Sequence, residues 1–332
     1  MDFNSFVGQK KVKDNLKLLI DAAKLGREFP HLGLYGPAGC GKTTLAHIIA
    51  KELNAELIYI NGAAIISSSI FRAPIVKAIS RSGKDKRYVI MVDECHAIPK
   101  KIQNNLLSVL EKPGILCTAV ESRVKLTNGR VLRRGDILKE RLPNNVSFIF
   151  CTTDKSELND AMETRLHPIN LEEYSLQEKC ESVHKVFENH RIELEPQQNA
   201  TLIANASKNM RHLIKLCERV IDYAHTKRTK TIHGKDIQKV LSILGIDGYG
   251  CDETDRKYLN YVSDNMPVSL SNIGRFLNIP DNEVKTKIEP FLIRKNWINI
   301  TQKGRILTKK CLSEFFKSGD NMTEEILEIL WE

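Results

Sequence analysis

The feature that most constrains this chain is a short loop, Gly36-Pro37-Ala38-Gly39-Cys40-Gly41-Lys42-Thr43-Thr44. It carries the full G-x-x-x-x-G-K-[ST] spacing, with the apolar run Leu32-Gly33-Leu34-Tyr35 before it and the helical stretch Leu45-Ala46-His47-Ile48-Ile49-Ala50 after it. Strand, glycine loop and helix in that order make a cradle for a nucleotide's phosphates. Gly36, Gly39 and Gly41 let successive N–H groups curl around the anion with no Cβ in the way, and the helix opening near Gly41 points its positive dipole end at the same place. Lys42 is expected to bridge the β- and γ-phosphates of ATP and the Thr43 hydroxyl to hold Mg2+, with Thr44 beside it in the nucleotide site. A Gly-rich turn with no ligand would leave the flanking strand and helix unexplained.

At 332 residues the chain is too long for one core, so two or three domains of about 100 to 200 residues are expected. The formal net charge of +9 favours a polyanionic partner, because each phosphate neutralised by Lys or Arg releases condensed counterions. The eight cysteines form no C-x-x-C pair and no His/Cys cluster, and they read as reduced thiols of a cytoplasmic protein. No run approaches the ~18 apolar residues of a membrane helix, and Met1-Asp2-Phe3-Asn4 lacks a basic-then-apolar signal pattern, so no membrane association is expected.

From Phe6 to about Asn170 helical stretches alternate with the apolar runs Leu32 to Tyr35, Leu57 to Ile60, Tyr88 to Val92 and Val146 to Cys151. Such alternation predicts an α/β domain with a parallel sheet covered by helices. From Ser175 to about Leu244 no strand signal remains, and Leu213, Leu216, Cys217, Val220 and Ile221 recur at helical spacing, which predicts a small helical domain. The Gly-rich stretch Gly245 to Gly250 marks a boundary. Beyond it, three helical stretches and two short strands around Gln302-Lys303-Gly304 predict a winged helix. The expected parts are residues 1–172 (ATPase domain), 173–246 (helical lid), 247–317 (winged helix) and 318–332 (tail).

The strand Tyr88-Val89-Ile90-Met91-Val92 runs into Asp93-Glu94. Phosphoryl transfer needs metal, positioning and charge neutralisation more than covalent help, so a Mg2+-holding Asp93 and a water-polarising Glu94 complete what Lys42 and Thr43 begin. A third strand ends in Thr152-Thr153, which would bring the Thr153 hydroxyl to the γ-phosphate at the carboxyl edge of the sheet. Arg165, in Glu163-Thr164-Arg165, suits a finger reaching a neighbouring subunit's site, and a surface salt bridge accounts for it equally well. Arg211 is a similar case on a helix of the second domain.

Together Phe6-Val7-Gly8-Gln9, the phosphate loop with its helix, Asp93-Glu94-Cys95-His96 and Arg211 resemble the RuvB family of AAA+ ATPases, branch-migration motors at Holliday junctions. The carboxyl end is similar too, in Leu244-Gly245-Ile246-Asp247, Asp252-Glu253-Thr254-Asp255-Arg256, Pro267-Val268-Ser269-Leu270, Glu289-Pro290-Phe291-Leu292-Ile293 and Lys303-Gly304-Arg305. The resemblance, from about Phe6 to Thr308, implies a homo-oligomeric ring, a hexamer, acting on duplex and four-way-junction DNA. It implies Thr153 as first sensor, Arg165 as the finger acting in trans, Arg211 as second sensor and Tyr174 as a wall of the adenine pocket. It also implies that Arg305 grips DNA phosphates. The family's second arginine is replaced by Ile300, so Lys303, Lys309 and Lys310 are candidates to share that grip.

Asn128-Gly129, flanked by alternating apolar residues, signals a hairpin; with a two-residue loop Leu126 would face Val131, with Val124 on the same face. In RuvB-like proteins a hairpin here docks a RuvA partner, so Val124, Leu126 and Val131 are candidate partner residues, packing on their own domain being the alternative. The family's Leu-Arg-Pro stretch over the adenine is missing before Phe6, which predicts lower nucleotide affinity. The acidic and apolar tail Thr323 to Glu332 opens with a capping-box pattern and suits a helix that docks on another protein or folds back on its own chain. The leading expectation is an ATP-driven DNA motor. The alternatives are an AAA+ loader that closes on DNA without translocating, and a scaffold with a vestigial ATPase, which intact Lys42, Asp93, Glu94 and Arg165 argue against.

Overall fold

The computed structural model describes residues 2–82, 86–111, 114–120, 123–125 and 131–316. They fall into two compact units: the first runs to Ser182 and includes Asn209–Arg211, and the second holds Val183–Lys208 and the chain from His212 onward.

The first unit contains α1 (Lys10–Lys24), β1 (Leu32–Tyr35), α2 (Lys42–Glu52), β2 (Glu56–Asn61), α3 (Ser68–Ser82), β3 (Tyr88–Asp93) and α4 (Lys100–Leu110). It continues through β4 (Ile115–Ala119), β5 (Val124–Lys125), β6 (Val131–Leu132), β7 (Ile137–Arg141), β8 (Val146–Thr152), α5 (Asp160–Glu163), β9 (His167–Asn170) and the start of α6 (Leu176–Asn189). Five parallel strands form one sheet in the order β2-β3-β8-β1-β9. Successive side chains of a strand point to opposite faces, and both faces are covered. Tyr88, Ile90, Val92, Phe148 and Phe150 join the core under α3 and α4, whereas Val89, Met91, Ile149 and Cys151 join the core under α1 and α2. Two-sided burial is why β3 and β8 read as near-continuous apolar runs rather than alternating ones. The crossovers deliver the carboxyl ends of β1, β3 and β8 to one edge, where the phosphate loop begins.

Three sequence expectations are corrected. A fifth sheet strand, β9, was not anticipated: His167-Pro168-Ile169-Asn170 has a single large apolar residue, and its edge position tolerates Pro168. The hairpin register also differs, with Val124 pairing Leu132 and Lys125 pairing Val131, one residue off the expected alignment. Leu132 is 3% exposed and Val131 38%, so the structure buries Leu132, and a one-residue slip turns Val131 outward. Leu126, Asn128 and Gly129 lie outside the described residues. The flanking strands β4 and β7 form a separate antiparallel pair.

The third correction is in the second unit, which follows α6 with β10 (Glu193–Glu195), α7 (Ala200–Ala206), α8 (Met210–Lys227), β11 (Thr231–His233) and α9 (Gly234–Ile243). The segment expected to lack strands contains the parallel pair β10–β11, whose buried Leu194 and Ile232 are the only large apolar residues of strands too short to show a period. Then come α10 (Glu253–Asn265), α11 (Leu270–Leu277), α12 (Asp281–Glu283), α13 (Glu289–Arg294), β12 (Ile298–Thr301), β13 (Gly304–Leu307) and α14 (Lys309–Glu314). Tyr258, Leu259, Ile273, Phe291, Leu292, Trp297 and Leu307 close a core of their own. Val268 makes an isolated antiparallel bridge to Arg305 on β13; Gly304 sits at φ 140, where a Cβ would lie 2.6 Å from the Val268 carbonyl oxygen. The tail, residues 318–332, lies outside the described residues. Among the described residues no helix is long and apolar enough to cross a membrane.

Candidate functional site

The phosphate loop joins β1 to α2 with Gly36, Gly39 and Gly41 at φ 151, 80 and 98, a region only glycine enters freely. A Cβ on Gly36 would lie 2.6 Å from the Leu171 carbonyl oxygen, one on Gly41 2.7 Å from Phe6 Cζ and 3.2 Å from Tyr174 Oη, and one on Gly39 3.2 Å from Asn209 Oδ1. Phe6, Leu171, Tyr174 and Asn209 thus wall the loop so closely that side chains on its glycines would fill it. Tyr174 donates its hydroxyl to the Cys40 carbonyl at 3.2 Å, and burial pushes its phenol up. The Gln9 amide pairs both ways with the Glu172 backbone, fixing the segment after Phe6. Lys42, 7% exposed, donates from Nζ to the carbonyls of Gly36 at 2.7 Å and Pro37 at 3.0 Å. Thr43 and Thr44 are half-buried at the start of α2.

Asp93 ends β3; its Oδ1 accepts from the Glu94 N–H at 3.1 Å and its Oδ2 from the Tyr59 hydroxyl at 3.4 Å. Glu94 turns the chain at φ 49, and its Oε2 is buried without a hydrogen bond, with His96 Nδ1 at 3.4 Å. Thr153 is exposed just past β8, beside buried Thr152. Burial pushes up the thiols of Cys40, Cys95 and Cys151, that of Cys95 to about 12, so none of these cysteines supplies a thiolate. Glycines whose Cβ would fill the cradle, a buried ammonium and two adjacent carboxylates, one with an unpartnered oxygen, fit a nucleoside triphosphate with a divalent cation.

Arg165, just past α5, holds Glu111 Oε1 through Nη2 at 2.6 Å and Nε at 3.1 Å and donates from Nη1 to the Ala161 carbonyl. It makes the surface salt bridge that the sequence allowed. Arg211 is exposed near the start of α8, and its backbone nitrogen lies 3.4 Å from where a Gly39 Cβ would stand. Sequence reasoning missed Asn209 and Glu111, which nothing local singles out. It quoted Phe6, Gln9 and His96 without giving them roles.

In the winged helix Lys303, Lys309 and Lys310 are exposed, as is Ile300. Arg305 departs from the expected phosphate grip. Its Nε donates to Glu289 Oε1 at 2.7 Å and its Nη2 to Oε2 at 3.3 Å, and its side chain is 14% exposed. Glu289 is 1% exposed and also accepts from the Tyr258 hydroxyl at 3.0 Å, so the guanidinium is bound into the wing's own core.

Residues 1–121 match the family model for the Holliday junction DNA helicase RuvB P-loop domain, and residues 248–315 match that for the RuvB C-terminal winged helix domain. The Holliday junction branch migration complex subunit RuvB of Ehrlichia canis is 31% identical over 314 residues, covering 93% of this chain and 90% of that protein. The corresponding subunit of Mycoplasmopsis pulmonis is 31% identical over 322 residues, covering 94% and 95%. Among solved structures, the Thermotoga maritima RuvB Holliday junction branch migration motor aligns with TM-score 0.77 and 26% identity over 96% of this chain and 98% of that one. With both family models matched and relatives 31% identical covering most of its length, the chain belongs to the RuvB family.

Proposed function

We propose that this chain is an ATP-driven DNA motor of the RuvB type, which migrates Holliday junctions by drawing duplex arms through a ring of its own copies. What supports this reading is the walled phosphate loop with Lys42 and the Asp93-Glu94 pair at one sheet edge, on a chain that aligns with RuvB almost end to end. In this reading Lys42 neutralises phosphate charge and Gly36, Gly39, Gly41 and Thr44 line the loop. Thr43 and Asp93 hold Mg2+, which supplies the Lewis acidity that phosphoryl transfer needs. Glu94 takes the proton of the attacking water through its carboxylate. Thr153 senses the γ-phosphate, Arg211 reads the nucleotide from the start of α8, and Tyr174 with Phe6 walls the base. Arg165 leaves Glu111 to serve the site of the next copy in a ring, six by family expectation.

The lid (to residue 246) and the winged helix (247–317) are proposed as the moving and gripping parts, with Lys303, Lys309 and Lys310 meeting DNA phosphates in front of Arg305. The outward Val131 on the β5–β6 hairpin is the proposed landing point of a RuvA-type partner, and the acidic tail that of another protein. The protein is expected to work in the cytoplasm.

The test is dissociation of a synthetic four-way DNA junction with ATP and Mg2+, with and without a RuvA-type partner, using Lys42→Ala as control. Dissociation that requires Lys42 supports the motor. DNA-stimulated hydrolysis without dissociation under either condition overturns it in favour of a loader.

A further inference from the structure

We propose that His96 is a positioning residue for Glu94, holding the carboxylate from behind while anchored on Thr152 of the neighbouring strand. The inference rests on reading Glu94 as the residue that activates water.

The argument starts from proton counting around one hydroxyl. Thr152 is fully buried at the end of β8, and its Oγ1 lies 2.9 Å from the Asp154 carbonyl oxygen, 2.9 Å from the Asp154 backbone nitrogen and 2.8 Å from His96 Nδ1. The carbonyl only accepts, so the single Thr152 proton goes to it; the amide only donates, so it fills one lone pair of Oγ1. What remains for His96 is the second lone pair. With Thr152 donating to that carbonyl, His96 Nδ1 is the donor to Oγ1, and this is the tautomer the proposal assigns.

The same nitrogen lies near a second oxygen. Glu94 Oε2 is buried, accepts no hydrogen bond among the described residues and lies 3.4 Å from the same Nδ1. With its hydrogen directed at Thr152 Oγ1, Nδ1 reaches Glu94 Oε2 as the longer arm of a three-centre contact. Among the described residues the Glu94 side chain makes no hydrogen bond; its backbone turns at a left-handed φ of 49, and its side chain is 47% exposed. A carboxylate on such a turn has rotamer freedom to lose, and a donor fixed on one oxygen leaves Oε1 as the oxygen open to a water. The donor is itself fixed, because Thr152 is locked by Asp154 in the turn that carries Thr153. The proposed base and the proposed sensor are thereby tied through two side chains.

Two sets of measurements test this. In the protein without nucleotide, 15N NMR of labelled histidine should show His96 Nδ1 carrying a proton; a neutral ring protonated only at Nε2 overturns the proposal. In steady-state ATP hydrolysis, His96→Ala should lower kcat about 10- to 100-fold, a fraction of what a general base contributes, with KM and the affinity for a fluorescent ATP analogue within about twofold. His96→Asn, whose amide nitrogen falls near the place of Nδ1, should recover most of that loss. In a Glu94→Gln background His96→Ala should cost nothing further, since a residue acting through Glu94 has nothing left to position. Equal losses in His96→Ala and His96→Asn, or a fall in nucleotide affinity matching the fall in kcat, would reduce His96 to a structural part. Wild-type protein without hydrolysis would defeat the ATPase reading and leave the NMR result standing.

Discussion

Glu289 and Arg305 show how a single residue can be recruited away from the surface. Glu289 sits at the start of α13 with 1% exposure, and its oxygens take two bonds from Arg305 and one from Tyr258. A buried ion pair adds little net stability when intact, but removing one partner strands a charge at a cost of about 3–5 kcal/mol. Arg305→Ala should therefore loosen the wing by about that amount, read by urea denaturation and by faster hydrogen exchange at the β12–β13 amides. Arg305→Met combined with Glu289→Gln should recover much of it, because no charge is left buried. Unchanged exchange in the single variant would mean that the arginine is free to serve DNA as the family resemblance implies. The +9 net charge raised the expectation of a basic DNA grip without saying which cations are already committed inside.

At the scale of elements, His31 pins the entry of β1 to β8: it accepts the Phe148 N–H on Nδ1 at 3.1 Å and meets the Phe148 ring edge-on at 5.3 Å. Burial lowers its pKa from 6.5 to about 4. Between those values the unfolded chain binds the proton more readily than the folded one. Stability is therefore complete above about pH 6.5 and should fall by roughly 3 kcal/mol as the pH drops to about 4. Urea denaturation across that range checks it: His31→Asn, which can still accept the Phe148 N–H, should flatten the slope, and an unchanged slope would shift the acid sensitivity elsewhere. The same strands explain what the sequence could reveal. β1, β3 and β8 are buried on both faces and so announce themselves, as does the phosphate loop, whose glycines are adjacent in the chain. The hairpin register was misread because Asn128-Gly129 suggested a turn while burial of Leu132 decided the pairing. His96 with Thr152 and Arg165 with Glu111 meet across 56 and 54 residues, and no local pattern marks such partners.

At the scale of the whole molecule, the place of Arg165 decides whether one chain is a complete enzyme. Its pairing with Glu111 lies on the surface, with side-chain exposures of 32% and 57%, where such ion pairs contribute about 0–1 kcal/mol. The guanidinium can therefore leave at little cost for a phosphate carried by a neighbour, where an added positive charge stabilises the transition state far more. If it acts in trans, Arg165→Ala binds nucleotide but offers no finger, and Lys42→Ala offers a finger but holds no phosphate. Each variant alone should be inactive. In an equal mixture a productive interface needs an intact Lys42 on one side and an intact Arg165 on the other; one half times one half predicts about a quarter of wild-type hydrolysis. Titrating one variant into the other should give a maximum near equal amounts. A flat line at the inactive baseline, with light scattering showing that mixed assemblies form, would return Arg165 to its salt bridge with Glu111 and leave each site to work alone.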